Sequence, residues 1–377
     1  MKIVIDNKIP YIHGALEPFG EVVYLPGSET GKEILKDADA VITRTRTICN
    51  EENLEQSRIK FIATATIGFD HIDTAYCKTK GIEWTNAPGC NAASVEQYVT
   101  ASIFHIAAQK GLQLDQLTLG VVGVGNVGKK VVKMGEVLGM QVLQNDPPRE
   151  RKEETNQFVD LETIKQEADI ITLHVPLTNE GIDKTWHLAN TNFFNSLKKC
   201  PVFINTCRGE VNETNALKNA IKENKISAAI IDCWEKEPNI DLELLSLVDI
   251  ATPHIAGYSK DGKANGTMMS VQAISRFFKL GIDNWQPTNV DLPTSTIINV
   301  GNCENCSDQA IIGKAILTTY PIEHDDKKLR SSVETFEKQR GDYGIRREYP
   351  VFEVTGTIPE SAQQKLLALG FKAVTCK

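Results

Sequence analysis

A glycine-rich turn restricts the fold of this chain more than any other stretch of its sequence. The turn lies in LGVVGVGNVGK, where Gly123, Gly125 and Gly128 form the pattern G-x-G-x-x-G. Apolar residues before the pattern predict a strand, and residues 129–138 predict a helix. A strand, such a turn and a helix in succession are typical of an α/β domain with a parallel sheet. Without this context the pattern would indicate only a glycine-rich turn.

The same turn predicts a dinucleotide site. Gly123 permits a tight turn, Gly125 leaves room for a pyrophosphate, and Gly128 lets the helix pack closely against the strand. The phosphates would then meet free backbone amides at the positive end of the helix, where Asn126 and Val127 lie. We therefore expect all five residues to bind the cofactor.

The next predicted strand ends in an acidic residue. Asp146 closes the stretch QVLQND, which follows the predicted helix. A carboxylate at that point can accept hydrogen bonds from the ribose hydroxyls and would repel a 2′-phosphate. The sequence therefore predicts NAD, rather than NADP, as the cofactor.

The chain is long enough for two or three domains. It has 377 residues, of which 41% are hydrophobic and 24% are charged. Strand and helix patterns alternate, which favours an α/β protein with a Rossmann-type NAD domain and a discontinuous, flavodoxin-like substrate domain. The predicted boundaries are 1–93 and 258–285 for the substrate domain and 94–257 for the NAD domain. Ser94 and Gln97 form a capping-box pattern, which predicts the start of the connecting helix.

A proline-containing linker predicts a third domain over residues 286–377. Its βααβαβ pattern indicates a small α+β domain. Helices are expected near residues 308–318, 327–339 and 363–371, and a last strand over residues 372–376.

Composition disfavours several classes of protein. The net charge of −8 and the pI of 5.5 argue against nucleic acid or an anionic membrane as a partner. There is no apolar run of transmembrane length and no secretory signal pattern, so we expect a cytoplasmic protein. Nine scattered cysteines fit reduced thiols, and the lone pair Cys303 and Cys306 predicts loop thiols rather than a zinc site. No metal is expected.

Three predicted strands of the NAD domain end in polar side chains, Arg208, Glu237 and His254. Because the carboxyl ends of parallel strands line the ligand crevice of an open α/β sheet, we expect these side chains to meet beside the nicotinamide. Each of them alone would be unremarkable, since a lone histidine is usually structural. His174 ends another predicted strand, and we expect it to line the cofactor rather than to transfer a proton.

The three residue types suit hydride transfer from a 2-hydroxy acid. His254 can accept the hydroxyl proton while the hydride departs. Glu237 would hold the imidazole tautomer and stabilise the imidazolium. Arg208 would bind the substrate carboxylate through two parallel hydrogen bonds and polarise the nascent carbonyl oxygen.

Five segments resemble the D-isomer-specific 2-hydroxyacid dehydrogenase family: GVVGVGNVG, LHVPLT, INTCRGEVNE, DCWEKEP and PHIAGYS. The resemblance covers about residues 40–280 and implies the catalytic roles just described. Further segments, including NAPGCNAASVEQYV and LRSSVETFEKQRGDYGIRREY, resemble one branch of that family. The branch oxidises a phosphorylated 2-hydroxy acid and forms a homodimer through its C-terminal domain, and the same is implied for this chain.

The resemblance also implies binding residues outside the glycine-rich turn. Substrate contacts fall on Thr45, Thr66 and Tyr258, and cofactor contacts fall on Asp146, Thr206, Cys207, Arg208, Asp232 and Gly257. One position departs from the pattern, because Val175 stands where that branch commonly has a threonine near the cofactor.

The substrate phosphate needs a cation of its own. Arg44 and Arg46 flank Thr45, but on a strand the two arginines would share one face and Thr45 the other. All three could bind the same ligand only if the segment were a loop. Arg346 and Arg347 are expected at the solvent-exposed surface, although either could reach across a dimer.

Two alternatives stay open at this point. One is another dehydrogenase of the family, such as a member that acts on 3-phosphoglycerate. Those with C-terminal extensions often carry a βαββαβ domain, which the two successive helices predicted here disfavour. The other is an NAD-sensing binding protein with little turnover. Such a protein would be marked by a missing member of the catalytic set, and none is missing.

Overall fold

The structure is a computed structural model that describes residues 1–303 and 305–376. The chain divides into two compact units. The first comprises Met1–Asn91 and Ser259–Asp291, and the second comprises Ala92–Tyr258 and Leu292–Lys377. The second unit therefore contains both the glycine-rich turn and the C-terminal segment. The three-domain boundaries given above stay a prediction.

Strands and helices alternate along most of the chain. The strands are β1 (Lys2–Asp6), β2 (Glu21–Leu25), β3 (Ala40–Thr43), β4 (Phe61–Thr64), β5 (Glu83–Thr85), β6 (Thr118–Val122), β7 (Gln141–Asn145), β8 (Ile170–Leu173), β9 (Val202–Asn205), β10 (Ala228–Ile231), β11 (Ile250–Ala251), β12 (Ile297–Asn302), β13 (Glu353–Thr357) and β14 (Ala373–Cys376). The α-helices are α1 (Lys32–Leu35), α2 (Glu51–Leu54), α3 (Thr74–Lys80), α4 (Ala92–Lys110), α5 (Asn126–Val137), α6 (Pro147–Glu153), α7 (Leu161–Glu167), α8 (Thr191–Asn195), α9 (Thr214–Lys222), α10 (Leu242–Leu247), α11 (Lys260–Phe278), α12 (Asp308–Thr319), α13 (Ile322–Ser331), α14 (Phe336–Gly341) and α15 (Glu360–Leu369).

The first unit is a parallel sheet in the order β2-β1-β3-β4-β5. This is the flavodoxin-like order expected for the substrate domain. Successive residues of β1 point to opposite faces, so Ile3 and Ile5 join one core while Val4 joins the other. Helix α11 covers the first of these faces through Val271 and Ile274. The sequence therefore folds residues after 258 back onto the N-terminal sheet.

The second unit has a Rossmann-type parallel sheet in the order β11-β10-β9-β8-β6-β7. Strand β7 lies on one side of β6 and β8 lies on the other. The loop after β6 is thus the point where the strand order reverses, and ligands of such sheets bind at that point. The glycine-rich turn occupies this loop and leads into α5.

The C-terminal segment forms a second, parallel sheet in the order β12-β13-β14. Its core is continuous with that of the NAD-binding part, since Ile312 and Val354 belong to the same apolar cluster as Tyr98 and Phe104. Helix α13 also covers the sheet edge at β11, where Asp326 Oδ1 accepts a hydrogen bond of 2.8 Å from the amide of Ala251. The segment is therefore built into the second unit.

The capping-box prediction at Ser94 is wrong. Helix α4 begins at Ala92, so Ser94 and Gln97 lie inside the helix and are buried. Ser94 Oγ donates to Glu348 Oε1 at 2.7 Å, and Gln97 Nε2 donates to the Arg347 carbonyl at 2.9 Å. Tertiary hydrogen bonds to the C-terminal segment thus use the side chains that the pattern assigned to a helix end.

The helix expected over residues 327–339 is also displaced. Helix α13 starts directly after Pro321 and ends at Ser331. A 3-10 turn, Val333–Thr335, separates it from α14. A proline disfavours helical backbone in the residue before it, so Tyr320 is extended, α12 ends before Pro321 and α13 begins directly after it.

Two further findings concern the described residues. Within this part of the chain, no helix is both long and apolar enough to cross a membrane. The cysteines whose side chains are described are all free thiols, and most of them are buried.

The glycines of the turn differ in whether they can tolerate a side chain, and a matched pair of alanine variants tests this difference. A Cβ at Gly128 would lie 2.0 Å from the Gly123 carbonyl oxygen, whereas a Cβ at Gly125 meets nothing within 4 Å. We expect Gly128→Ala to lower the free energy of unfolding by about 1–3 kcal/mol. Gly125→Ala should leave stability within about 0.5 kcal/mol while weakening dinucleotide binding. Chemical denaturation and cofactor titration check both; equal stability of the two variants would contradict the packing argument.

Candidate active site

The buried carboxylate of Asp232 fixes the loop that follows β11. Asp232 is 0% exposed. Its Oδ1 accepts hydrogen bonds from Thr252 Oγ1 and from the amide of Ile255, each at 2.7 Å, and its Oδ2 accepts from the amide of Ala256 at 2.9 Å. Burial raises the pKa of Asp232, and these donors together with the charge of His254 oppose the rise. The loop between Thr252 and Ala256 is therefore wrapped around one carboxylate.

His254 stands at the centre of this loop in a left-handed conformation. Its φ is 54°, a region that non-glycine residues seldom adopt. The His254 amide donates to the carbonyls of Asp232 and Thr252, at 2.8 and 3.1 Å. The surrounding hydrogen bonds thus hold a strained residue in place, as is common at functional sites.

Glu237 binds one nitrogen of the His254 ring. The Nδ1 atom lies 3.0 Å from Glu237 Oε1 and 2.8 Å from Oε2. Glu237 Oε1 also accepts from the amide of Trp234 at 2.9 Å. Burial opposes ionisation of Glu237, yet the hydrogen bond and charge of His254 hold its pKa below the usual value. An ionised Glu237 makes Nδ1 the donor, which leaves the Nε2 lone pair of His254 available as a base.

A glycine brings the Arg208 loop against the loop that carries Glu237. A Cβ at Gly209 would lie 2.0 Å from the backbone carbonyl of Trp234, so only glycine permits this approach. Arg208 itself is half-buried, and its Nη1 donates to the Cys207 carbonyl at 2.8 Å. Backbone packing between two strand ends therefore positions Arg208 and Glu237 in the same region.

The predicted cofactor loop has an open cradle. Gly123 and Gly128 are buried, whereas Gly125 and Asn126 are exposed and Val127 is half-buried. Nothing lies within 4 Å of a Cβ placed on Gly125, so ligand atoms can approach the backbone there. The free amides at the start of α5 lie beside this space, an arrangement that suits a pyrophosphate.

Asp146 organises the same loop from the end of β7. Its Oδ2 accepts from the amide of Val124 at 2.8 Å, and its Oδ1 caps α6 by accepting from the amide of Arg149 at 3.1 Å. Arg149 in turn donates to the Val124 carbonyl at 2.7 Å. Asp146 therefore has a structural role in addition to the ribose contact that we predict for it.

The remaining predicted cofactor residues lie at the ends of β9, β10 and β11. Thr206 is 8% exposed, and its Oγ1 is buried without a hydrogen-bond partner among the described residues. A buried hydroxyl without a partner is uncommon, so Thr206 Oγ1 is a candidate to bind a ligand. Cys207 is buried and bonds to Asn205, while Gly257 is half-buried. The Asp232 carboxylate accepts hydrogen bonds from the loop that contains His254, and a cofactor contact at Asp232 stays a prediction.

His174 is neutral at physiological pH. Desolvation lowers its pKa to about 3, and its Nε2 lies 3.0 Å from Thr172 Oγ1. A ring with so low a pKa is a poor acceptor for a proton at pH 7. This agrees with the expectation that His174 lines the site rather than transfers a proton.

The candidate substrate residues of the first unit lie beyond β3 and β4. Thr45 is exposed in the loop that follows β3. Thr66 Oγ1 donates to the Gly68 carbonyl at 2.9 Å and lies 2.8 Å from Thr64 Oγ1. Arg44 pairs with the buried carboxylate of Asp6, with Nε and Nη2 at 3.1 and 3.3 Å from its oxygens. The loop conformation removes the one-face conflict predicted for a strand, but the charge of Arg44 is already balanced.

The expectation that Arg346 and Arg347 are solvent-exposed is wrong. They are only 4% and 8% exposed. The Nη2 atom of Arg346 donates to the carbonyl oxygens of Ala256 and Ser94, and its guanidinium lies 4.5 Å from the ring centre of Tyr320. Aromatic faces near the charge make such burial tolerable. The aromatic residues on both sides of the arginine pair, in YGIRREY, are the signal that could have indicated this.

Tyr258, the third predicted substrate residue, has neighbours from α14 and from the residues that follow it. The ring of Tyr343 packs edge-on against Tyr258, with centroids 6.1 Å apart. The guanidinium of Arg340 lies 5.7 Å from the Tyr258 ring centre. Sequence reasoning missed Arg340, because α14 was not recognised as a separate helix.

A metal ion is not the natural occupant of this region. Among the described residues, Cys233 Sγ, a Glu237 oxygen and a His254 nitrogen lie within 4.8 Å of one another. Burial raises the pKa of the Cys233 thiol well above its usual value, and the carboxylate and imidazole already bond to each other. A cation would have to displace that hydrogen bond, so the geometry favours a proton-transfer pair.

Two parts of this chain match known protein families, and nearly the whole chain is similar to named bacterial enzymes. Residues 91–256 match the NAD binding domain of the D-isomer specific 2-hydroxyacid dehydrogenases, and residues 292–370 match a domain of unknown function. The erythronate-4-phosphate dehydrogenase of Bacteroides thetaiotaomicron is 53% identical over 94% of this chain and 99% of its own. The Bacteroides fragilis enzyme of that name is 51% identical over 95% of this chain and 100% of its own.

A solved structure supports the same fold. The NAD⁺-bound 3-phosphoglycerate dehydrogenase of Entamoeba histolytica superposes with a TM-score of 0.63 at 28% identity. The match covers 78% of this chain and 99% of that protein.

Variants of the histidine and its carboxylate partner test the proton-transfer pair. We expect His254→Ala to lower kcat by about 10²–10⁴-fold, as for loss of a general base, while cofactor affinity is retained. Glu237→Gln should lower kcat by about 10²-fold or more, because the amide cannot stabilise an imidazolium as a carboxylate does. Steady-state kinetics and cofactor titration measure both effects. Turnover near that of the unmodified protein in His254→Ala would remove His254 from the mechanism.

Proposed function

This chain belongs to the erythronate-4-phosphate dehydrogenases of the D-isomer-specific 2-hydroxyacid dehydrogenase family, and we propose that it oxidises 4-phospho-D-erythronate with NAD. The product is 2-oxo-3-hydroxy-4-phosphobutanoate. The observation that carries the proposal is the pair formed by His254 Nδ1 and the Glu237 carboxylate at 2.8 Å, in the same compact unit as the predicted cofactor loop. NAD, when bound, would accept the hydride from C2 of the substrate.

His254 handles the proton of the substrate hydroxyl. Its Nδ1 donates to Glu237, so Nε2 accepts the proton as the C2–H bond breaks. The carboxylate then stabilises the imidazolium that forms. Arg208 binds the substrate carboxylate and polarises the developing carbonyl oxygen. Tyr258, Thr45 and Thr66 are proposed as further substrate contacts.

The cofactor residues fit NAD. The open space at Gly125 would receive the pyrophosphate, and the buried hydroxyl of Thr206 would gain a hydrogen-bond partner from the cofactor. Asp146 contributes the carboxylate for the ribose. Cys207, Asp232 and Gly257 are proposed to line the rest of the site.

Three wider aspects of the function are proposals as well. The reaction belongs to the synthesis of pyridoxal phosphate, as the resemblance to this branch implies. The protein acts in the cytoplasm, in keeping with its free thiols. It forms a homodimer through the C-terminal segment, and sedimentation of the purified protein would test this.

The substrate assignment is tested by comparing acids of different length. We expect kcat/KM for 4-phospho-D-erythronate to exceed that for 3-phosphoglycerate by at least about tenfold, because one carbon centre and its hydroxyl change the fit of both charged ends. Initial rates of NADH formation measure both values. A preference for 3-phosphoglycerate would instead support the related dehydrogenase activity.

The choice of cofactor is tested at Asp146. We expect Asp146→Asn and Asp146→Ala to lower the ratio of kcat/KM for NAD to that for NADP by about 10- to 100-fold, since both remove the charge that repels a 2′-phosphate. The asparagine keeps one oxygen, for the cap of α6, but its NH2 group replaces the oxygen that accepts from the amide of Val124, so both variants should also lower thermal stability. An unchanged ratio in both variants would show that another residue sets the choice.

A further inference from the structure

The substrate proposed above has two anionic ends, and one of them lacks an assigned cation. Arg208 is engaged by the carboxylate in the proposed mechanism. Arg44 already pairs with Asp6, and Arg346 is buried with its Nη2 bound to backbone carbonyls. The second unit offers a further cation for the phosphate, beside Tyr258.

That cation is Arg340 in α14, which is partly exposed, with 21% of its side chain accessible. Its Nη1 donates to Glu337 Oε1 at 2.9 Å. The side chain of Glu337 is 40% exposed, whereas the Asp6 partner of Arg44 is fully buried, so solvent screens the Arg340 pair more strongly. Its Nε is buried and has no hydrogen-bond partner in the described part of the chain. A buried donor without a partner is uncommon, so the guanidinium retains capacity to bind an anion.

The position of Arg340 links this side chain to the catalytic region. Its guanidinium lies 5.7 Å from the ring centre of Tyr258, four residues after His254 in the chain. Its positive charge also helps to keep the pKa of Glu237 low, so the two groups interact electrostatically. An anion held at Arg340 would thus lie near the hydrogen-bonded pair of Glu237 and His254.

We propose that Arg340 binds the phosphate of the substrate and thereby selects phosphorylated 2-hydroxy acids. This inference rests on the proposed function. It also assigns a role to the segment that matches a domain of unknown function, since Arg340 lies within residues 292–370. The C-terminal segment contributes a specificity-determining residue to the site.

The proposal is tested with Arg340→Gln, Arg340→Lys and the control Lys338→Gln on the same helix, where Lys338 is exposed. With 4-phospho-D-erythronate, Arg340→Gln should raise KM by about 10- to 100-fold, the effect of losing a charged hydrogen bond, with kcat changed little. Arg340→Lys should give an intermediate KM, because an ammonium retains the charge but not the fork. With unphosphorylated D-erythronate, Arg340→Gln should change KM much less than with the phosphorylated acid, because only the effect of Arg340 on Tyr258 and Glu237 remains, and Lys338→Gln should leave the constants for both acids unchanged.

Inorganic phosphate gives a second readout that does not depend on the identity of the substrate. Phosphate should compete with whichever 2-hydroxy acid the protein oxidises, and Arg340→Gln should raise its inhibition constant by at least about tenfold. Lys338→Gln should leave that constant unchanged. NAD titration and thermal unfolding establish that each variant is folded, and if the glutamine variant fails to fold, the lysine variant carries the comparison.

Two results would overturn the inference. One is an equal loss with the phosphorylated and the unphosphorylated acid, which would mean that Arg340 acts only through Tyr258 or Glu237. The other is an unchanged inhibition constant for phosphate. By contrast, failure of the unmodified protein to oxidise 4-phospho-D-erythronate would refute the proposed function, and phosphate competition would still decide the role of Arg340.

Discussion

A single carboxylate without access to water determines where the imidazole of His254 can lie. Asp232 accepts three hydrogen bonds from the residues on either side of His254, and no part of it is exposed. A buried charge is costly unless it is fully hydrogen-bonded, so the loop has little freedom to move away. Tyr98 extends the network from α4, with its hydroxyl 2.6 Å from Thr252 Oγ1. The left-handed conformation of His254 is sustained by this arrangement.

The C-terminal segment supports the same loop from several directions. Asp326 binds the amide of Ala251 at the edge of the sheet, and Arg330 donates to the Val248 carbonyl at 2.7 Å. Arg346 binds the Ala256 carbonyl, and Arg340 lies beside Tyr258. Each of these contacts involves backbone or side chains within a few residues of His254. The segment therefore acts as part of the scaffold of the site, whichever oligomer the protein forms.

Much of this could be predicted from local patterns. The glycine-rich turn, the alternation of strands and helices and the polar strand ends indicated a Rossmann-type sheet with Arg208, Glu237 and His254 at one edge, because these features depend on residues close in sequence. The strand order of the first unit agrees with the flavodoxin-like expectation, although that order depends on pairing between distant strands.

Contacts between distant residues could not be predicted in this way. The sequence around Ser94 is typical of a helix cap, yet the Ser94 hydroxyl donates to Glu348, which only the folded chain brings near. The sequence predicts that Arg346 is at the surface, whereas the folded chain buries it against Tyr320 and the Ala256 carbonyl. The direction of synthesis determines when these contacts can form. Glu237 and His254 both leave the ribosome before Arg346 does. A nascent chain that has emerged only as far as residue 291 therefore contains the imidazole and its carboxylate partner but lacks the guanidinium that binds the Ala256 carbonyl in their loop.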